Sequence, residues 1–253
     1  MIELDEIKTE YGRTFFVPKK DSFMMKRMIK HNYFQSSNLR YIKRLLNNKA
    51  RIIIDVGANI GMNTIEYSQI CKQVYSFEPS DINFILLEKN LTVNNTDKEK
   101  VMLYKIALGN NQCKIQFNEN IKQGGLSSIK YNDDVLKNTI TIDVEVKKLD
   151  DYNIVDVDFI KIDVEGYEKE VLLGSIKTLK RERPIVQVET NPKYTKHYNY
   201  NLDDIYEIFR ELGNYVCATN DGKFVSMTNH IENRKTDRFF IPLERINNKL
   251  SVI

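Results

Sequence analysis

The chain has 253 residues, of which 42% are hydrophobic and 29% charged, with 10 glycines and 5 prolines, so it can bury a sizeable core and is neither disordered nor collagen-like. Its 38 basic and 35 acidic side chains leave a net charge of +3, too small for a bulk attraction to nucleic acid. No run approaches the roughly 18 apolar residues of a membrane span, the first ten residues lack the pattern of a secretory signal, and Cys71, Cys113 and Cys217 are too far apart for a CxxC motif, so the expectation is a cytoplasmic protein in a reducing compartment.

In chain order, residues 1–49 read as an N-terminal extension. Residues 11–18 resemble a strand or hairpin arm. Ser22 can cap a helix carrying Phe23, Met24, Met28 and Ile29, and residues 37–47 place Leu39, Ile42, Leu45 and Leu46 at helical spacing. Residues 50–253 read as one domain. Short, nearly continuous apolar runs at 52–56, 74–77, 101–108, 157–163 and 185–188 alternate with amphipathic helical stretches at 62–71, 81–93, 167–179 and 202–212. Runs that do not alternate suit strands covered on both faces, and the alternation of strand and helix predicts a doubly wound, mostly parallel α/β sheet. An insert at 110–152 adds an expected antiparallel pair (114–117 and 139–146) and a loop at 123–128. Closing strands are expected at 215–219, 224–227 and 239–242, with Asn220, Asp221 and Gly222 forming a hairpin turn.

Such sheets bind ligands beyond the carboxyl ends of their strands, and the motifs fall there. Asp55-Val56-Gly57-Ala58-Asn59-Ile60-Gly61 runs from a strand into a small-residue turn and a helix, where glycines allow close approach of backbone and ligand. Taken alone it serves equally as a tight turn, and its spacing is not GxGxxG. Glu78-Pro79 ends the second strand, about 20 residues on, where an acid can accept both hydroxyls of a ribose. In the signature from Phe159 to Glu168, a period of two puts Lys161 and Asp163 on the same side of a buried strand, where charges need partners. This is either a structural ion pair or a reaction centre, in which Lys161 or another group takes a substrate proton while Asp163 and Glu165 orient the substrate. Glu189 ends the fifth strand on the same rim, and His197 in the next loop is a further candidate base. Asp163, Glu165 and Glu189 could hold magnesium, but strand-end acids serve as often as hydrogen-bond acceptors, so no metal is predicted.

With these motifs in order, the sequence resembles the FkbM-type S-adenosylmethionine-dependent methyltransferases. The carriers are Asp55 to Gly61 with Thr64, Glu78-Pro79, Asn90 with Asn94, Ala107 to Gly109, Gly125 with Ser127 and Ser128, Leu149 to Asp151, and Asp158 to Glu168 followed by Val171 to Gly174. Met62 departs from the aromatic that often follows the second glycine, a position expected to pack rather than react. The resemblance implies a Rossmann-like, seven-stranded class I methyltransferase fold. It implies that Asp55, Gly57, Ala58, Asn59, Gly61, Asn63, Thr64, Glu78, Pro79, Ala107 and Asp163 serve the cofactor, with Glu78 on the ribose and Ala107 beside the adenine. Lys161, Asp163, Glu165 and Gly166, joined by Glu189, then face the transferred methyl group.

The function expected from the resemblance is O-methylation by S-adenosylmethionine, with S-adenosylhomocysteine as product, of a sugar in a glycan or glycosylated metabolite. The N-terminal extension caps the acceptor side. The alternatives are an RNA ribose 2′-O-methyltransferase, whose basic face would draw on Lys223, Arg234, Lys235, Arg238 and Arg245, and a cofactor-binding module without turnover. A nicotinamide oxidoreductase is disfavoured by the glycine spacing.

Overall fold

The five apolar runs become neighbours in one sheet because strands without a polar face must be covered on both sides. The structure is a computed structural model and describes residues 3–9, 12–19, 37–120, 139–227 and 236–246. The expected helix after Ser22 and the loop at 123–128 lie outside the described residues, as do His31, Gly125, Ser127, Ser128, His230, Arg234 and Lys235.

The strands are β1 (Leu4–Lys8), β2 (Thr14–Pro18), β3 (Ala50–Val56), β4 (Cys71–Phe77), β5 (Val101–Tyr104), β6 (Ala107–Leu108), β7 (Cys113–Asn120), β8 (Thr139–Lys147), β9 (Val157–Ile162), β10 (Ile185–Thr190), β11 (Tyr215–Ala218), β12 (Phe224–Val225) and β13 (Thr236–Pro242). The main sheet has the order β12-β11-β13-β10-β9-β3-β4-β5. Strands β5, β4, β3, β9 and β10 are parallel, and β13 enters antiparallel between β10 and β11. The chain winds outward from β3 to β5 and returns on the other side at β9. This is the class I methyltransferase fold, with eight strands where seven were expected, because the hairpin through Asn220-Asp221-Gly222 adds the two-residue β12 to the edge.

Side chains of alternate strand positions divide into two cores. Ile53, Phe159, Ile185 and Phe239 face the helices Ser37–Leu46, Met62–Ser68 and Asp81–Val93, whereas Ile54, Ile160, Val186 and Phe240 face Glu168–Leu173, Ile176–Glu182 and Leu202–Leu212. Met62 packs in the first core, 8% exposed. The β1–β2 hairpin is tied to this core by two side-chain amides. Asn90 accepts from Phe16 N at 2.7 Å and donates to Phe16 O at 3.2 Å, and Asn94 brackets Thr14 in the same way at 3.0 and 2.7 Å. The two asparagines imitate a strand edge from the surface of a helix.

Three expected elements are divided differently. The run at 101–108 splits, since Lys105 pairs with Asp81 at 2.6 Å and Ala107–Leu108 leaves the main sheet to pair with β8. The insert thereby becomes a three-stranded sheet, β6-β8-β7, containing the expected antiparallel pair. The helix at 167–179 breaks at Gly174-Ser175, where the backbone crosses Gly109 so closely that a Cβ on Gly174 would stand 2.0 Å from Gly109 O. The helix at 62–71 stops at Ser68 because Cys71 already opens β4.

Gly174→Ala should therefore destabilise the fold by about 1–3 kcal/mol, the usual range for forced overpacking, measured as a lower urea midpoint. An unchanged midpoint would show that the two backbones do not touch.

Candidate active site

The crevice lies where the strand order reverses, between the carboxyl ends of β3 and β9. Asp55, Lys161 and Gln187 are lateral neighbours across β3, β9 and β10. The ammonium of Lys161, a residue 3% exposed, stands 3.6 Å from Asp55 Oδ1 and 3.3 Å from Asp163 Oδ2, and reaches Gly57 O at 3.4 Å. Asp55 has no exposed surface and accepts from Thr64 Oγ1 at 2.7 Å, with Ser76 Oγ 3.1 Å beyond. Burial raises the Asp55 carboxyl above its ordinary value, against the pull of Lys161 and Thr64. Asp55 and Thr64 thus act on the crevice through Lys161 and the turn that follows β3.

That turn is shaped by Gly57, with φ at +78°. A Cβ there would fall 1.9 Å from Asp163 O, so only glycine lets the two loops meet. Asn59, also left-handed, donates its N–H to Glu78 Oε2 at 2.8 Å, and Ser80 N donates to Glu78 Oε1 at 2.9 Å. Glu78 therefore joins the loops after β3 and β4, and the side chain of Asn83 also bonds it, which leaves one of the four lone pairs of its carboxylate for a ligand. Desolvation pushes its carboxyl up to about 7, opposed by the bonds from Ser80 and Asn59. Beside it is an apolar slot lined by Gly57, Phe77, Pro79, Ala107, Phe117 and Tyr167. Ala58 is buried and Asn63 half-buried next to this turn, while Gly61 packs against Leu87 under the helix Met62–Ser68.

On the far rim, Asp163, Glu165 and Glu189 each bring one carboxylate oxygen to within 4.8 Å of the others. His197 sits half-buried in the 3-10 turn Lys196–Tyr198, and this grouping does not include it. Two acids that the sequence reading did not single out hold the loops in place. Glu168, 1% exposed, accepts from Val164 N at 3.1 Å and Gly166 N at 3.0 Å, while Tyr200 donates its hydroxyl at 2.5 Å. It thereby fixes a turn in which Glu165 and Gly166 both have positive φ. Glu119, from β7, accepts from Ile82 N at 2.9 Å and from the Ser80 hydroxyl, binding the insert to the loop that carries Glu78. Glu168 is visible in the sequence as the last acid of a dense motif; Glu119 has no local signal. The basic face that the RNA alternative would need is reduced, because Arg238 is buried against Tyr206 and Arg245 is bonded to Asp158. No helix among the described residues is long and apolar enough to cross a membrane.

Residues 55–216 match the family model described as the methyltransferase FkbM domain. The chain is 28% identical over 144 residues to Methyltransferase 1 of Beauveria bassiana, an alignment covering 48% of this chain and 57% of that protein. The crystal structure of methyltransferase FkbM from Methylobacillus flagellatus superposes with a TM-score of 0.49 at 17% identity, covering 76% of this chain and 43% of that one. The structure of TYW2 from M. jannaschii in complex with AdoMet superposes with a TM-score of 0.47 at 14% identity, covering 96% and 88%. The chain thus spans about half the length of the first two.

The raised Glu78 carboxyl gives a stability prediction. The folded chain holds this proton more tightly than the unfolded one, so the group's stabilisation is complete below pH 4.5 and is lost as pH rises through about 7, a loss on the order of 3 kcal/mol. A carboxyl carbon-13 titration of Glu78 should have its midpoint near 7. An ordinary carboxylate midpoint would mean that water reaches the group.

Proposed function

The chain belongs to the FkbM methyltransferase family, and from that premise we propose that it transfers the methyl group of S-adenosylmethionine to a hydroxyl oxygen on a sugar of a glycan or glycosylated metabolite. The observation that carries the cofactor reading is Glu78, a buried acid at the carboxyl end of β4, bonded to the turn after β3 and with an apolar slot beside it. A ribose hydroxyl suits the carboxylate, and the purine then lies against the apolar side chains of Pro79, Ala107 and Phe117. The methionine end then lies along the turn that Gly57 lets pass close to Asp163. Asn59 serves by orienting Glu78, and Asp55 and Thr64 by supporting Lys161.

S-adenosylmethionine supplies an electrophilic methyl group on a positively charged sulfur. The residues of this chain align the acceptor oxygen with that methyl group and remove its proton. Asp163, Glu165 and Glu189 surround the place where the hydroxyl enters. Lys161, with carboxylates on two sides, serves to hold Asp163 rather than to take a proton itself. A polyhydroxylated acceptor suits a rim of several half-buried carboxylates, each able to accept more than one hydrogen bond. The helix Ser37–Leu46 of the N-terminal extension caps this side, where its Asn38 reaches Asp237 at 2.7 Å. A cytoplasmic setting suits the exposed free thiol of Cys113.

Calorimetric titration with S-adenosylhomocysteine, with NAD as the negative control, should give micromolar binding to the wild type, weakened at least about tenfold by Glu78→Ala, the loss of one charge-assisted hydrogen bond. Failure of a folded wild-type protein to bind would reject the reading. Asp163→Asn should leave that affinity nearly intact and lower methyl transfer to a hydroxylated acceptor about 100-fold or more, in keeping with loss of a positioned proton acceptor. A collapse of cofactor binding in this variant would move Asp163 from the acceptor side to the cofactor side.

A further inference from the structure

Three carboxylates from two strand ends converge at the rim. Asp163 and Glu165 follow β9 and Glu189 belongs to β10, with one oxygen of each inside a 4.8 Å grouping. Glu189 is 9% exposed, and the other two are half-buried. The Lys161 ammonium touches this group at Asp163, but it also faces Asp55.

A second observation comes from just below the acids. Gln187, 4% exposed, precedes Glu189 by two residues and so lies on the same face of β10. Its Nε2 donates to Asp237 Oδ1 at 3.3 Å, and Asp237 is the cross-strand partner of Glu189. The amide head is therefore drawn along the strand to the level of the acids, yet its Oε1 is buried without a hydrogen-bond partner. Asn38 repeats the pattern: its Nδ2 donates to Asp237 Oδ2 at 2.7 Å, and its Oδ1 is also buried and unpartnered. Buried carbonyl oxygens almost always find a donor. A set of carboxylate and amide oxygens with no nitrogen or sulfur among them is the donor chemistry of a hard divalent cation.

We propose that Asp163, Glu165 and Glu189 bind a divalent cation of the magnesium class, with the Gln187 side-chain carbonyl turned to it from below. Binding of the cation does not depend on the enzymatic reading; its role does. At this position the cation holds the acceptor hydroxyl and makes its proton easier to remove. The oxygen then forms its bond to the methyl carbon as the carbon–sulfur bond breaks, the electron pair staying on sulfur and the proton passing to a rim carboxylate or water.

The test is titration of the full-length protein with manganese chloride, followed by electron paramagnetic resonance, with magnesium chloride as competitor. One saturable site is expected, with a Kd at or below about 1 mM. Glu189→Gln and Asp163→Asn should each weaken it about tenfold or more, as expected for loss of a charged ligand. Gln187→Leu should weaken it by a smaller factor, and Glu99→Gln, at an exposed acid elsewhere, should leave it unchanged. Absence of saturable binding, or equal binding by the rim variants, overturns the proposal. S-adenosylhomocysteine titrated into the same preparations reports folding and the cofactor reading independently. Cofactor binding without manganese binding rejects the cation site alone, whereas manganese binding without cofactor binding rejects the methyltransferase reading and leaves the cation site standing.

Discussion

Lys161 puts a positive charge on a central strand whose preceding and following residues are phenylalanine and isoleucine, and the arrangement around it follows from the need to compensate that charge. Burying an ammonium costs several kcal/mol unless opposite charges and hydrogen bonds surround it. Here Asp55 on β3 and Asp163 after β9 supply the charges, Gly57 O lies within reach, and Thr64 supports Asp55 from the following helix. Removing either carboxylate would leave Lys161 with a single counter-charge. The strand ends are thus locked in register at the point where the crevice opens, and Asp163 is presented to it.

The same economy recurs in the loops. Glu78, Glu119 and Glu168 are all nearly inaccessible, and each accepts main-chain N–H groups from a loop at the carboxyl edge of the sheet. A carboxylate can accept several such bonds at once, so one buried acid organises a turn that hydrophobic packing would leave loose. Burial raises the carboxyls of Glu78 and Glu168, and the phenol of Tyr200, bonded to Glu168, is raised as well. Strain is stored beside these acids, at Asn59 and Glu165 in left-handed conformation, where the surrounding bonds over-determine the backbone.

The two ends of the crevice are built by different parts of the chain. The apolar slot takes its outer wall from the insert, through Ala107 and Phe117, and the insert is anchored by Glu119. Near the rim acids, the helix Ser37–Leu46 is tied to β13 at its start by Asn38 and Asp237, the cross-strand partner of Glu189.

The sequence by itself determined the doubly wound plan, since unbroken apolar runs separated by helical stretches leave a parallel sheet as the main solution. It also pointed to the loops that meet at the crevice, because Gly57, Glu78 and the signature from Asp158 to Glu168 each combine a strand end with residues that a buried strand otherwise excludes. Periodicity placed Lys161 and Asp163 on one side of β9, but which acid lay on the far side of Lys161 depended on β3 being its neighbour. Many motif residues turned out to hold backbones together: Asn90 and Asn94 grip β2, Asp158 binds Arg51 and Arg245, and Gly174 makes room for Gly109. A motif records that a residue type is needed at a spacing, and packing and catalysis can require the same types. Only the tertiary structure brought Glu189 to Asp163 and Glu165, set Glu119 under Ser80, and hung two amides on Asp237, because these contacts join segments far apart in the chain and none leaves a local pattern.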